Sequence, residues 1–165
     1  LQICEALEHA HGKGIIHRDL KPANIMLVKD QNGSVIVKVV DFGLAKILED
    51  ETSASQKITQ TGECFGSPLY MSPEQCLGEK SDNRTDIYAL GCIAYECLTR
   101  APPFIGKTIL ETFTMHVDRP PVPIPVEFEI PRSWEASIMK ALAKKPDERQ
   151  ASVTELKQVF LNVTV

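Results

Sequence analysis

The chain has 165 residues, 43% of them hydrophobic and 24% charged, with a formal net charge of −4. This suits one globular domain with a continuous core, and the mild acidity gives no electrostatic case for a nucleic-acid partner. No stretch reads as a secretory leader or as the roughly 18 apolar residues of a membrane segment, and the five cysteines, Cys4, Cys64, Cys76, Cys92 and Cys97, form no CxxC pair and leave an odd count, which points to free thiols in a reducing cytoplasm rather than a disulfide framework.

Ile3, Leu7 and Ala10 recur at helical spacing from Leu1 to His11, and Gly12 and Gly14 are expected to stop that helix. Leu1 falls inside the pattern, so the true start is expected upstream. His9, His11 and His17 lie close in sequence, but no Cys or acid cluster completes a zinc set; core packing and helix-end positions are expected for them. Ile15-Ile16 predicts a short strand into the loop His17-Arg18-Asp19-Leu20-Lys21-Pro22-Ala23-Asn24. Ile25 to Val28 predicts a second strand. Asp30-Gln31-Asn32-Gly33 predicts a hairpin turn in which Asn-Gly takes positive φ at both positions. Val35 to Val40 returns and delivers Asp41-Phe42-Gly43.

From Leu44 to Phe65 the chain turns polar, with Thr52, Ser53, Ser55, Thr59 and Thr61. So long a stretch without apolar periodicity is usually functional or disordered. Ser72-Pro73-Glu74-Gln75 has the marks of a helix start: Ser as cap, Pro at the first position, Gln three residues after the cap. Thr85 to Leu98 is apolar nearly all round, which predicts a helix buried on every side. Ile109 to His116 is a further helix. Pro120, Pro121, Pro123 and Pro125 make an extended connector. Trp134, Ile138, Met139 and Leu142 recur at helical spacing. Ser152 and Glu155 form a capping box opening a last helix through Val159 and Phe160.

The loop from His17 to Asn24 gathers an acid, two bases and an amide. Any one Asp or Asn in a polar loop is ordinarily a turn residue; the combination suits phosphoryl transfer. That chemistry needs reactants held in line and negative charge neutralised. Asp19 can accept a hydrogen bond and then a proton from a hydroxyl. Lys21 can meet a phosphate as a point charge. Asn24 and Asp41 offer oxygen ligands of the kind magnesium takes beside phosphate and water.

His17-Arg18-Asp19-Leu20-Lys21-Pro22-x-Asn24, then Asp41-Phe42-Gly43, then Ser72-Pro73-Glu74 follow the order and spacing of the catalytic, metal-binding and Ala-Pro-Glu motifs of protein kinases. The chain resembles that family, and the details Gly66-Ser67-Pro68-Leu69-Tyr70-Met71 and Ser72-Pro73-Glu74-Gln75 resemble its bacterial serine/threonine members. The resemblance implies ATP and magnesium (Mg2+) as cofactors, Asp19 and Lys21 as catalytic residues, Lys21, Asn24, Met26 and Asp41 at the nucleotide (Met26 beneath the adenine), and Asn24 and Asp41 on the metal. It implies structural roles for His17, Phe42, Glu74, Asp86 and Arg149: Asp86 bonding the backbone at His17 to Asp19, Arg149 paired with Glu74. Leu44 to Phe65 becomes the activation segment, with Arg18 binding a phosphate on Thr59 or Thr61. Ser67 is expected to bond Asp19 or Lys21.

Two lysines invite misassignment. Val35-Ile36-Val37-Lys38 imitates the kinase motif whose lysine holds the nucleotide phosphates, but that motif belongs upstream of the catalytic loop. Gly12-Lys13-Gly14 is too short for the glycine-rich phosphate loop. The expected fold is mainly helical, kinase-like α+β, with residues 1–165 forming the C-terminal lobe alone around a buried central helix and with short β-hairpins at the cleft. The small N-lobe is then the missing partner, and the chain by itself is expected to be inactive. The expected function is transfer of the ATP γ-phosphate to Ser/Thr hydroxyls of proteins, by an enzyme that is cytoplasmic or anchored to a membrane outside this chain. The competing expectation is a non-catalytic free-standing lobe that binds substrate peptides or a partner protein.

Overall fold

The structure is a computed structural model that describes residues 1–42 and 67–162. Helix α1 (Gln2–His11) buries Cys4, Leu7 and Ala10 on one face, as a spacing of three and four residues requires. Gly12 is its C-cap, as expected, though with a right-handed φ of −61°. The reversal falls at Gly14, whose φ is +73°. No strand forms at Ile15-Ile16 among the described residues. The Ile15 N–H instead bonds back to the Ala10 carbonyl at 3.0 Å, which ties it to the end of α1.

Strands β1 (Ile25–Lys29) and β2 (Val35–Val39) form one antiparallel hairpin, with Ile25 opposite Val39 and Lys29 opposite Val35. Its turn differs from expectation. Gly33 is left-handed at φ +81° and Asn32 is not. The cause is Asp30, whose Oδ1 accepts both the Asn32 and Ser34 N–H at 2.8 Å. That Asx capture selects a right-handed turn closed by a left-handed glycine in place of the two-residue turn.

After the one-turn helix α2 (Pro73–Cys76) comes the central helix α3 (Asn83–Thr99). It begins two residues before the predicted start because Asp82 caps it, accepting the Arg84 N–H at 2.8 Å. It ends at Arg100 in the left-handed region, φ +65°. Every residue from Thr85 to Ile93 is buried. The last turn is not, and Cys97 is exposed, so the all-round burial expected of this helix holds only for its first part.

Helices α4 (Ile109–Asp118), α5 (Arg132–Ala141) and α6 (Val153–Leu161) complete the set. A Cβ on Gly91 would fall 2.9 Å from the Ala141 Cβ, so α3 and α5 cross where only glycine fits. Ile87, Tyr88, Ile138, Leu142 and Leu156 meet in one core around that crossing. At α6, Ser152 Oγ accepts the Glu155 N–H, but the Glu155 carboxylate returns to the Ala151 N–H and not to Ser152. The expected box is shifted by one residue. The architecture is mostly helical with a small two-stranded sheet, compatible with a kinase-like α+β fold. No helix among the described residues is long and apolar enough to cross a membrane.

Candidate active site

The His17–Asn24 loop is held from beneath by α3. Asp86, in the first turn of α3 and fully buried, accepts the His17 N–H on Oδ2 and the Arg18 N–H on Oδ1, each at 2.8 Å. His11 Nε2 adds a contact to Oδ2 at 2.7 Å. A buried carboxylate surrounded by three such partners is well satisfied. Its hold matters because Arg18 has φ +63°, a region costing a non-glycine residue on the order of 1–3 kcal/mol. Asp41 is left-handed as well, at φ +56°.

His17 is completely buried. Its Nδ1 accepts the Asp19 N–H at 3.3 Å, and its Nε2 lies 3.0 Å from the Val40 carbonyl. Those two partners assign the tautomer with the proton on Nε2. The ring also meets Phe42, centroids 4.7 Å apart. One imidazole thus joins the Asp19 loop to the strand end that carries Asp41.

Asp19 is interlocked with its own loop. Lys21 Nζ donates to Asp19 Oδ2 at 2.8 Å. The Asn24 amide donates to the Asp19 carbonyl at 2.8 Å and, more weakly, to Oδ2 at 3.4 Å. Both side-chain contacts fall on Oδ2, so Oδ1 has no hydrogen-bond partner among the described residues. Asn24 is buried on the short 3-10 turn Pro22–Asn24. Its Nδ2 points to Asp19, which leaves the Oδ1 carbonyl oxygen without a hydrogen bond among the described residues.

The hairpin register brings the two candidate metal ligands to one end. Ile25 pairs with Val39, and one step further the Val40 N–H donates to the Asn24 carbonyl at 2.9 Å. Asp41 follows at once, exposed and unpaired among the described residues. Asn24 and Asp41 therefore stand at the same end of the hairpin, the one with a side-chain carbonyl oxygen and the other with a carboxylate. This fits magnesium, which keeps water and phosphate ligands and needs few protein ones; no set of three His, Cys, Asp or Glu forms a metal cluster among the described residues. Met26, expected beneath an adenine, lies on β1 opposite Lys38 and is 52% exposed.

Glu74 and Arg149 are both buried and in contact, Nη2 to Oε2 at 2.7 Å. Burial pushes the Glu74 carboxyl up, but the hydrogen bond and charge of Arg149 outweigh it and hold the group below its usual range. Ser67, expected to bond Asp19 or Lys21, makes no hydrogen bond to either among the described residues, and the Lys21 and Asn24 side chains are the ones that reach Asp19 Oδ2. Thr59, Thr61 and Gly43 lie outside the described residues. Two residues escaped the sequence reading. His11 was expected at a helix end, but its contact with Asp86 spans 75 residues and left no local signal. Gln75 was legible as a helix-start residue, but its bond to the Arg18 carbonyl, 2.7 Å, spans 57 residues and left no local signal.

Comparison with known proteins agrees with this geometry. The protein kinase domain family matches residues 1–161, and the chain belongs to that family. Among similar proteins are serine/threonine-protein kinase PknB of Mycobacterium leprae, 42% identical over 97% of this chain, and serine/threonine-protein kinase Pkn1 of Myxococcus xanthus, 43% identical over 96%. The probable serine/threonine-protein kinase SCO3848 of Streptomyces coelicolor is 43% identical over 94%. The chain spans about a quarter of the length of these relatives: 25%, 22% and 22% respectively.

Proposed function

We propose that these residues are the C-terminal lobe of a serine/threonine protein kinase catalytic domain, one that transfers the ATP γ-phosphate to Ser or Thr hydroxyls of proteins. The observation that carries this is the division of labour at Asp19. Lys21 and Asn24 both hold Oδ2, which fixes the carboxylate and leaves Oδ1 to accept a substrate hydroxyl. In the proposed reaction Asp19 orients that hydroxyl and takes its proton. The hydroxyl oxygen bonds to the γ-phosphorus while the bond to ADP breaks. Lys21, 23% exposed at its side chain, meets the transferring phosphate as a positive charge. Asn24 and Asp41 would hold magnesium, which when bound neutralises phosphate charge.

The same geometry supports a missing partner lobe. Met26, Leu27, Val35 and Ile36 are exposed on the hairpin. The register puts Met26 and Ile36 on one face and Leu27 and Val35 on the other; the face that carries Met26 suits a covering domain, here the N-lobe with its glycine-rich loop and phosphate lysine. The chain alone then lacks half of the nucleotide site and is inactive. A cytoplasmic setting suits an ATP-dependent enzyme whose Cys4 and Cys92 are buried thiols.

The test is phosphoamino-acid analysis of a generic protein substrate after incubation with the complete domain, ATP and magnesium. Phosphoserine and phosphothreonine are expected. Phosphotyrosine alone, or phosphate on a small molecule only, would refute the assignment.

A further inference from the structure

The peptide unit entering Asp19 is held from an unexpected quarter. Arg18 is left-handed, and its N–H is taken by Asp86 Oδ1 at 2.8 Å. Its carbonyl accepts from Gln75 Nε2 at 2.7 Å, one of the shortest side-chain contacts in the site. That carbonyl shares a peptide plane with the Asp19 N–H, which donates to His17 Nδ1 at 3.3 Å. Gln75 and His17 therefore grip opposite edges of one plane. Since a peptide unit is rigid, its tilt sets the position of the Asp19 Cα, from which Lys21 and Asn24 hold the carboxylate.

Gln75 is not free to turn. Its Oε1 accepts the Ser72 N–H at 3.1 Å, the return arm of a capping box, so the amide can serve Arg18 only through Nε2. The two bonds point in opposite directions from one amide and leave no ambiguity of flip. The capping oxygen is in place only when Ser72 to Gln75 has wound into the first turn of α2. Glu74, the neighbouring residue, pins that same turn to Arg149.

We infer that Gln75 is a positioning residue for Asp19, coupling the capped start of α2 to the peptide plane that sets the position of the Asp19 Cα. It touches neither substrate nor nucleotide; it acts through Arg18. This rests on the kinase assignment above and extends it to a residue 56 positions from Asp19 in the sequence.

The two arms of Gln75 separate by substitution in the complete kinase domain. Gln75→Glu keeps an oxygen for the Ser72 N–H and has no donor for the Arg18 carbonyl. Its expected phenotype is a kcat lower by about tenfold or more, the rate equivalent of one lost hydrogen bond, with KM for ATP and the unfolding midpoint close to wild type. Gln75→Met removes both arms, so kcat and the midpoint should fall together, with KM for ATP again little changed. Wild-type kcat in either variant would overturn the inference, as would a loss confined to KM. Should Gln75→Glu fail to fold, the Gln75→Met rate decides. Asp19→Asn runs alongside: if the unmodified domain transfers no phosphate, or Asp19→Asn transfers it normally, the kinase assignment itself has failed. If Asp19→Asn is inactive and both Gln75 variants are fully active, only the role of Gln75 has.

Discussion

Arg149 meets Glu74 with two parallel bonds, Nη1 to Oε1 at 2.8 Å and Nη2 to Oε2 at 2.7 Å. Its remaining donors are also used: Nε bonds the Ala143 carbonyl, Nη1 the Arg84 carbonyl and Nη2 the Lys144 carbonyl. All five N–H groups of the guanidinium are thereby satisfied inside the protein. Lysine has three donors and no fork, so Arg149→Lys should destabilise nearly as much as Arg149→Ala. Leaving Glu74 buried without its partner costs about 3–5 kcal/mol. Thermal unfolding of the complete domain should show a large fall for both variants. Lys145→Ala removes only an exposed pair with Glu148, 3.7 Å apart, and should be close to neutral. Equal, small effects at the two positions would contradict this.

His116 gives the acid side of the stability profile. It is fully buried, its Nδ1 meets the Tyr88 hydroxyl at 2.8 Å and its ring packs edge-on to Phe104. Burial, with a smaller push from the Lys144 charge, lowers its pKa to about 4 against the opposing pull of the Pro68 and Leu69 backbone. Between the unfolded value of about 6.5 and the folded value, the unfolded chain holds a proton that the folded one does not, so stability rises with pH across that window. The loss on acidification is about 3 kcal/mol at most. Glu74 acts in the same direction lower down, because a depressed carboxyl loses its contribution as pH falls through the folded value. His116→Asn, which keeps an acceptor for Tyr88, should flatten denaturant-measured stability between pH 4 and about 6.5. An unchanged slope would show that the proton goes elsewhere.

Nucleotide binding by residues 1–165 alone should be weak. Met26 is half exposed on the hairpin, so an adenine would have a floor and no roof. Calorimetry with ATP and magnesium is expected to give a dissociation constant weaker than about millimolar. Micromolar affinity with turnover would contradict the incomplete-site proposal.

Control is proposed to run through Arg18 and the segment beyond Phe42. A phosphate on Thr59 or Thr61 brings about −1.5 to −2 charges and three acceptor oxygens, a match for a guanidinium next to Asp19. Mass spectrometry of the complete enzyme after incubation with ATP should find phosphate on one of these threonines. A Thr59→Ala/Thr61→Ala double variant should lose activity. Full activity in that variant, or phosphate only at other sites, would refute the scheme.

What could be read in advance followed the range of the forces involved. α1, α5 and α6 were visible because their apolar spacing is local, and Asp19, Lys21 and Asn24 because they share one loop. Arg149 with Glu74, and Asp86 with the catalytic loop, span 75 and 68 residues or more; only family resemblance pointed to them. Gln75 to Arg18 and His11 to Asp86 had neither local pattern nor motif. The hairpin turn was misjudged because Asn-Gly is a strong signal and the Asp30 side chain is a stronger competitor for the same N–H groups. No strand appears at Ile15-Ile16 because no segment among the described residues pairs with it, and a strand is a property of two segments and not of one.

The most direct measurement is transfer of labelled γ-phosphate to a generic protein substrate by the complete domain, compared with Asp19→Asn and Asp41→Asn. One preorganised electrostatic partner is worth about 2.7–4 kcal/mol in such a site, or roughly 10²–10³ in rate. Each variant should therefore fall by at least about 10²-fold, Asp19→Asn through loss of the proton acceptor and Asp41→Asn through weakened magnesium binding. Near-normal turnover in either would contradict the assignment of these residues to the catalytic centre.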